Sequence, residues 1–273
     1  MNNTYHIYLI SDSTGETLDR IFSAIKAQFK NIDYKIHTYS FTRTENQILK
    51  ILTEANNKEN SIILYSIVYS NLAKFLANES NEKKIPCFGV LGDLILTFSK
   101  LLNQKASHEP SGQYTLNEEY YKRIEAIQFT MSHDDGKRTE DLSSSDVILL
   151  GVSRTSKTPT SIYLANRGFK TTNIPLVPNQ DIPEDLKSKN FKCCVIGLFA
   201  DPDRLSDIRR NRVALMKENR SSSYVDISSI QKEVEDSKIL FRKYNWPTID
   251  VTRKSVEETA ASIIKIIEIK KNK

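Results

Sequence analysis

Short β-branched runs alternate with longer amphipathic stretches along the whole of this 273-residue chain. Two neighbouring strands can run parallel only if something carries the chain back between them, and an amphipathic helix does this while covering the sheet. Apolar periodicity predicts strands over 5–10, 34–41, 61–68 and 86–91. Between them it predicts helices over 15–29, 45–55, 72–76 and 94–102, the first with Leu18, Ile21, Phe22 and Ile25 on one face. The pattern fades over 103–113, where Pro110 and Gly112 mark a break. A short helix over 118–127 and a polar segment over 132–141 follow. Strands then resume over 146–150, 171–177, 193–198 and 248–251. The intervening helices cover 158–167, closed by Gly168, then 202–218, 227–244 and 255–270. Ser255 and Glu258 have the spacing of a capping box. The expected architecture is two α/β domains with mostly parallel sheets. Residues 1–105 form the N-terminal domain, 106–130 a linker and short helix, and 131–273 a C-terminal domain carrying a P-loop.

Composition narrows the class. Hydrophobic residues make up 39% and charged residues 27%, a globular balance. Lys plus Arg number 39 against 34 Asp plus Glu, a net charge of +5. That excess suits acidic ligands such as phosphates but is too small and dispersed for nucleic acid. Arg209, Arg210, Arg212, Lys217 and Arg220 sit at helical spacing and read as a solvated helix face or as a phosphate or partner contact. The cysteines, Cys87, Cys193 and Cys194, are odd in number and form no C-x-x-C, so buried thiols in a reducing compartment are expected. No signal-peptide pattern opens the chain, and no apolar run approaches the roughly 20 residues of a membrane span. The expectation is a soluble cytoplasmic protein without membrane contact. The sequence has no internal repeat of about 20–50 residues. Lys270, Lys271 and Lys273 read as a frayed basic terminus.

The segment Gly151-Val152-Ser153-Arg154-Thr155-Ser156-Lys157-Thr158 follows the apolar run 147–150 and opens a helix. This is the setting of a phosphate loop, in which backbone N–H groups and a helix N-terminus face phosphate oxygens. Lys157 would neutralise phosphate, Arg154 would add a forked cation, and the Thr158 hydroxyl would reach a metal ion. Pro159 suits the first helical turn. Ser156 stands where the usual G-x-x-x-x-G-K-[ST] pattern has its second Gly, and its Cβ restricts φ.

Three further segments lie between expected elements. Ser11-Asp12-Ser13-Thr14-Gly15-Glu16-Thr17 reads as a helix start or as a hydroxyl-rich ligand loop at the end of a parallel strand. His133-Asp134-Asp135-Gly136 reads as an acidic turn or as a base with metal carboxylates. Asp201-Pro202-Asp203-Arg204 reads as an N-cap followed by Pro at the first helical position, or places Asp201 as a base or metal partner near the phosphate loop. His6, His37 and His108 read as structural or surface residues.

Together these segments resemble the pyruvate, phosphate dikinase regulatory proteins and the related phosphoenolpyruvate synthase regulatory proteins. The resemblance covers nearly the whole chain. It rests on S-D-S-T-G-E-T (11–17), H-D-D-G (133–136), G-V-S-R-T-S-K-T-P-T-S (151–161), N-I-P-L-V-P (173–178), D-P-D-R-L-S-D-I-R (201–209), W-P-T-I-D-V-T (246–252) and V-E-E-T-A (256–260). It implies a bifunctional enzyme. One activity phosphorylates a threonine of the dikinase from ADP, releasing AMP and inactivating the target. The other removes that phosphate with inorganic phosphate, releasing pyrophosphate and restoring activity. The implied substrates are ADP and inorganic phosphate, with Mg2+ at Thr158 and the dikinase as partner. Lys157, Arg154 and Asp201 would be catalytic, Asp201 as base. Thr155-Ser156 resembles the dikinase branch, since the synthase branch tends to carry Cys-Gly there. Synthase as target, a non-catalytic nucleotide sensor and an ATP-dependent small-molecule kinase are the alternatives. A homodimer is compatible with each.

Overall fold

A computed structural model describes residues 4–112, 118–138, 141–188, 193–216 and 222–271. The chain forms two compact units, Met1–Thr115 and Leu116–Lys273.

The first unit holds strands β1 (Thr4–Ser11), β2 (Asp33–Tyr39), β3 (Ser61–Ser66) and β4 (Cys87–Gly89). They form one sheet in the order β2-β1-β3-β4, with every pair parallel. Helices α1 (Glu16–Lys26), α2 (Glu45–Asn56), α3 (Ser70–Glu82) and α4 (Gly92–Leu102) connect or follow the strands. Side chains alternate across β1 with the period of two that a pleated strand imposes. Ile7 and Leu9 meet Leu18 and Phe22 of α1 on one face. Tyr8 and Ile10 meet Ile48 and Leu52 of α2 and Leu72 and Leu76 of α3 on the other. Both faces are therefore covered, as an all-parallel sheet requires.

The second unit repeats this winding. Its strands are β5 (Val147–Gly151), β6 (Thr171–Pro175), β7 (Cys194–Phe199) and β8 (Thr248–Asp250), in the order β6-β5-β7-β8 and again all parallel. Its helices are α5 (Glu118–Ser132), α6 (Lys157–Ala165), α7 (Glu184–Lys187), α8 (Pro202–Met216), α9 (Ile227–Lys243) and α10 (Val256–Lys271). All five residues of β5 are buried. Val147 and Leu149 pack with Leu164 of α6 and Ile263 and Ile267 of α10, whereas Ile148 and Leu150 pack with Leu186 of α7 and Phe241 of α9.

The mixed α/β architecture is the one the alternation predicted. Helix α5 runs five residues beyond the expected 118–127, to Ser132. The expected strand over 86–91 shortens to Cys87–Gly89. Residues 217 and 218 of the expected helix over 202–218 lie outside the described residues, as do Lys217 and Arg220 of the basic cluster and Lys273 of the basic end. The capping box before α10 forms: Ser255 N donates to Glu258 Oε2 at 2.8 Å and Glu258 N to Ser255 Oγ at 3.1 Å. Cys193 and Cys194 are buried and unbridged, and burial pushes the Cys193 thiol up to about 12. No helix among the described residues is long and apolar enough to cross a membrane.

Candidate active site

In a sheet ordered 2-1-3-4, the chain leaves the first strand toward one side and returns to its other side. The crevice at the carboxyl ends of the first and third strands is where open parallel sheets bind ligands. In the second unit that point lies above β5 and β7, and the loop there is 151–158. Gly151 ends β5 opposite Leu198 of β7. A Cβ on Gly151 would stand 2.5 Å from the Leu198 carbonyl oxygen and 2.7 Å from Thr155 Oγ1, so only Gly allows the strand and its loop to pack this closely. Thr155 Oγ1 donates to the Val152 carbonyl at 2.9 Å and braces the turn. Arg154 and Ser156 take φ of 74° and 57°. Ser156 thus adopts the left-handed conformation that Gly would occupy in the usual pattern, as the N-cap of α6 with no side-chain cap. The first N–H groups of α6 have no intrahelical acceptor and face the crevice end of the helix.

Lys157, the first residue of α6, is buried and donates from Nζ to the Val152 carbonyl at 2.9 Å. Desolvation lowers its pKa to about 8; Asp135 and Asp134 oppose that shift, and Arg209 and Arg154 add to it. Thr158 Oγ1 donates to Asp134 Oδ1 at 3.1 Å, and Asn173 Nδ2 donates to Asp134 Oδ1 at 2.6 Å and to Thr158 Oγ1 at 3.0 Å. Asn173 is 1% exposed and its Oδ1 has no hydrogen-bond partner among the described residues.

Asp134 reaches this position because the end of α5 is tied to β6. Asn173 N donates to the His133 carbonyl at 3.2 Å. His133 is buried, stacked on Phe129 and paired through Nε2 with Asp141 Oδ1 at 2.6 Å. That hydrogen bond from His133 holds the Asp141 carboxyl below its ordinary range. His133 is thus an anchor of the turn, and the carboxylates after it face the loop.

Arg209 of α8 is fully buried. It pairs with Glu233 of α9 at 2.7 Å and donates to the Ser153 and Tyr224 carbonyls, both at 3.2 Å. One guanidinium therefore joins α8, α9, the turn at 222–224 and the loop 151–158. Arg212, one turn further along α8, is half-buried; its Nε and that of Arg154 have no partner among the described residues. Asp134, Asp135, Arg154, Lys157, Arg209 and Arg212 together line a cleft of about 800 Å3. Among the described residues of the basic cluster, Arg209 is a buried buttress and Arg212 a cleft residue, while Arg210 is exposed.

Asp201 stands elsewhere. Its Oδ1 accepts from the N–H groups of Asp203 and Arg204 at 3.0 and 3.1 Å, capping α8. It borders a separate depression with Asp207, Asp250 and Arg253. In the first unit, the loop 11–17 follows β1 at the corresponding crossover point. Asp12 there is buried and accepts from Val68 N at 2.7 Å, and burial raises its carboxyl pKa. Gly15 precedes α1 with φ of 89°.

The family model described as kinase/pyrophosphorylase matches residues 7–264. A relative from Pelagibacter ubique, provisionally named a pyruvate, phosphate dikinase regulatory protein, is 68% identical over 272 residues, covering 100% of this chain and 99% of the relative. Relatives of the same name from Maricaulis maris and Caulobacter vibrioides are 41% and 42% identical, covering 98% and 96% of this chain and 95% and 83% of their own lengths. With a family model spanning nearly the whole chain and full-length relatives at this identity, the chain belongs to the kinase/pyrophosphorylase family, among proteins named as pyruvate, phosphate dikinase regulators.

Proposed function

We propose that this protein is a bifunctional regulator of pyruvate, phosphate dikinase. It phosphorylates a target threonine from ADP and removes that phosphate with inorganic phosphate. The observation that carries the reading is the cleft in which Lys157, Arg154 and Arg212 converge on the N-terminus of α6. Two acidic side chains, Asp134 and Asp135, share that cleft. Such a cleft can hold a diphosphate while leaving its terminal group open to attack.

In the forward direction the threonine oxygen attacks the β-phosphorus of ADP. The bond from that phosphorus to the bridging oxygen breaks, AMP leaves, and the threonine proton passes to a carboxylate. Asp135, exposed at the cleft and facing Lys157 electrostatically, is better placed to accept it than Asp201, which caps α8. In the other direction an oxygen of inorganic phosphate attacks the phosphothreonine phosphorus, giving pyrophosphate and the free threonine. Arg154 and Lys157 balance the charge on the transferring group in both directions.

The Thr158 hydroxyl and the Asp134 carboxylate, both oriented by the Asn173 amide N–H, are hard oxygen donors that suit a cation such as Mg2+. When bound, Mg2+ would screen phosphate charge, with Thr158 and Asp134 holding it and Asn173 orienting them.

The test mixes the purified protein with dikinase, ADP and phosphoenolpyruvate, and separately with phosphoenolpyruvate synthase in its place. Phosphothreonine on the dikinase with stoichiometric AMP is expected, followed by pyrophosphate when inorganic phosphate replaces ADP. Asp135→Asn should slow the forward reaction by about 10²-fold or more. If Asp201→Asn does so instead and Asp135→Asn does not, the base is assigned to the wrong carboxylate.

A further inference from the structure

Next to the phosphate cleft lies a second cavity, of about 720 Å3, between residues 176–182 after β6 and α9. The two share Leu176, Val177, Pro178, Tyr224 and Glu233 in their walls, so they are neighbouring compartments of one unit. Their chemistry differs. The cleft is lined by Arg154, Lys157, Arg209 and Arg212. In the cavity Lys187, Lys232 and Lys243 are offset by Asp181, Glu233 and Asp236, and the remaining wall includes Ile182, Leu240 and Tyr244. A compartment with balanced charge and an apolar wall does not favour a second phosphate. It suits an uncharged, flat group carrying a few hydrogen-bonding atoms.

We infer that this cavity seats the nucleoside of the nucleoside diphosphate whose phosphates occupy the adjoining cleft. The inference rests on the reading of the cleft given above. The apolar wall from Leu176, Ile182, Leu240 and Tyr244 covers the faces of the base, with Tyr244 already held by stacking on Trp246 at 4.8 Å. The Asp236 carboxylate is exposed on α9 and available to accept from ribose hydroxyls. Glu233 ties the compartments together, since its carboxylate holds Arg209, which in turn holds the Ser153 carbonyl of the phosphate loop.

This division has a consequence for the two directions of reaction. ADP uses both compartments. Inorganic phosphate and pyrophosphate use the cleft alone. Filling the cavity should therefore discriminate between ligands of one site rather than weaken all of them.

The test measures the dissociation constants of ADP and pyrophosphate by calorimetry, with Mg2+ present, for the wild-type protein and for Asp236→Trp. The expected result is that wild type binds ADP more tightly than pyrophosphate. The substitution should then raise the ADP constant at least tenfold relative to the pyrophosphate constant. If pyrophosphate binds and the ratio does not move, the nucleoside lies elsewhere and the inference is overturned while the cleft reading stands. If wild type binds neither ligand, the cleft reading fails and takes this inference with it. Irradiation of the wild-type protein with 8-azido-ADP gives a second readout that needs no variant. Label in peptides from 176–187 or 229–244 supports the assignment, and label confined to other peptides overturns it.

Discussion

Lys157 concentrates the tension between folding and binding. Its ammonium is buried with one carbonyl as its hydrogen-bond acceptor, and its pKa falls from 10.5 to about 8. Below pH 8 the desolvation cost is present in full. Between about 8 and 10.5 the folded protein sheds this proton before the unfolded chain does, so this group makes stability rise with pH. The shift corresponds to a cost of about 3 kcal/mol. Lys157→Met should therefore raise the unfolding free energy of the ligand-free protein at pH 7 by up to that amount, read as a higher urea midpoint, while eliminating ADP and phosphate binding. A lower midpoint would show that the charge is not penalised in the fold. The same shift predicts that ADP affinity weakens as pH rises through 8. Lys157→Arg, which cannot deprotonate there, should flatten that profile. Gly151 makes the opposite kind of demand, for space. Gly151→Ala sets a Cβ against the Leu198 carbonyl and should cost about 1–3 kcal/mol in chemical denaturation.

At the scale of elements, the site depends on contacts that bring distant segments together. Arg209 links α8 and α9 to the loop after β5. Arg209→Ala leaves Glu233 without its partner and should destabilise by about 3–5 kcal/mol in denaturant titrations. The double variant with Glu233→Ala should recover part of that loss; strict additivity would mean that the two side chains do not interact. These contacts mark the boundary of what the sequence makes legible. The loop 151–158 announces itself because its parts are contiguous: an apolar strand, a Gly, two cations and a helix start. The caps at Asp201 and Ser255 are equally local and equally readable. The partnership of Asp134 with Thr158 and Asn173 is not, because 24 and 39 residues separate them and nothing in their spacing fixes the turn that joins them. Nor does helical spacing reveal that Arg209 is buried, since a run of arginines looks the same whether its partner carboxylate is on the next helix or absent. Ser156 shows a different limit. The sequence shows that a Cβ is present, but not that the loop holds it at φ of 57°.

At the scale of the whole molecule, the same strand order occurs twice. Each of the four core clusters draws its residues from one unit alone. A fragment comprising Leu116–Lys273 is therefore expected to fold cooperatively and to bind pyrophosphate, measured by circular dichroism and calorimetry; a fragment without a melting transition would contradict independent cores. The alternation of strand and helix makes the parallel architecture legible, because covering both faces of a sheet leaves its mark on every segment. The strand order is less legible, since period and length are blind to which neighbour a strand chooses.

The order also constrains how the chain is made. In each unit the strand synthesised first is an inner one, and it gains its second neighbour only when the third strand has been made. Val147 of β5 must wait for Thr171 on one side and Cys194, 47 residues later, on the other. Ile7 of β1 waits for Ile36 and then Ile62. Until those crossovers close, the most apolar strand has open edges on the nascent chain, where loop-closure entropy delays pairing and intermolecular association competes with it. Refolding should accordingly be slow and lose yield as protein concentration rises, a kinetic toll set by the winding rather than by any one residue.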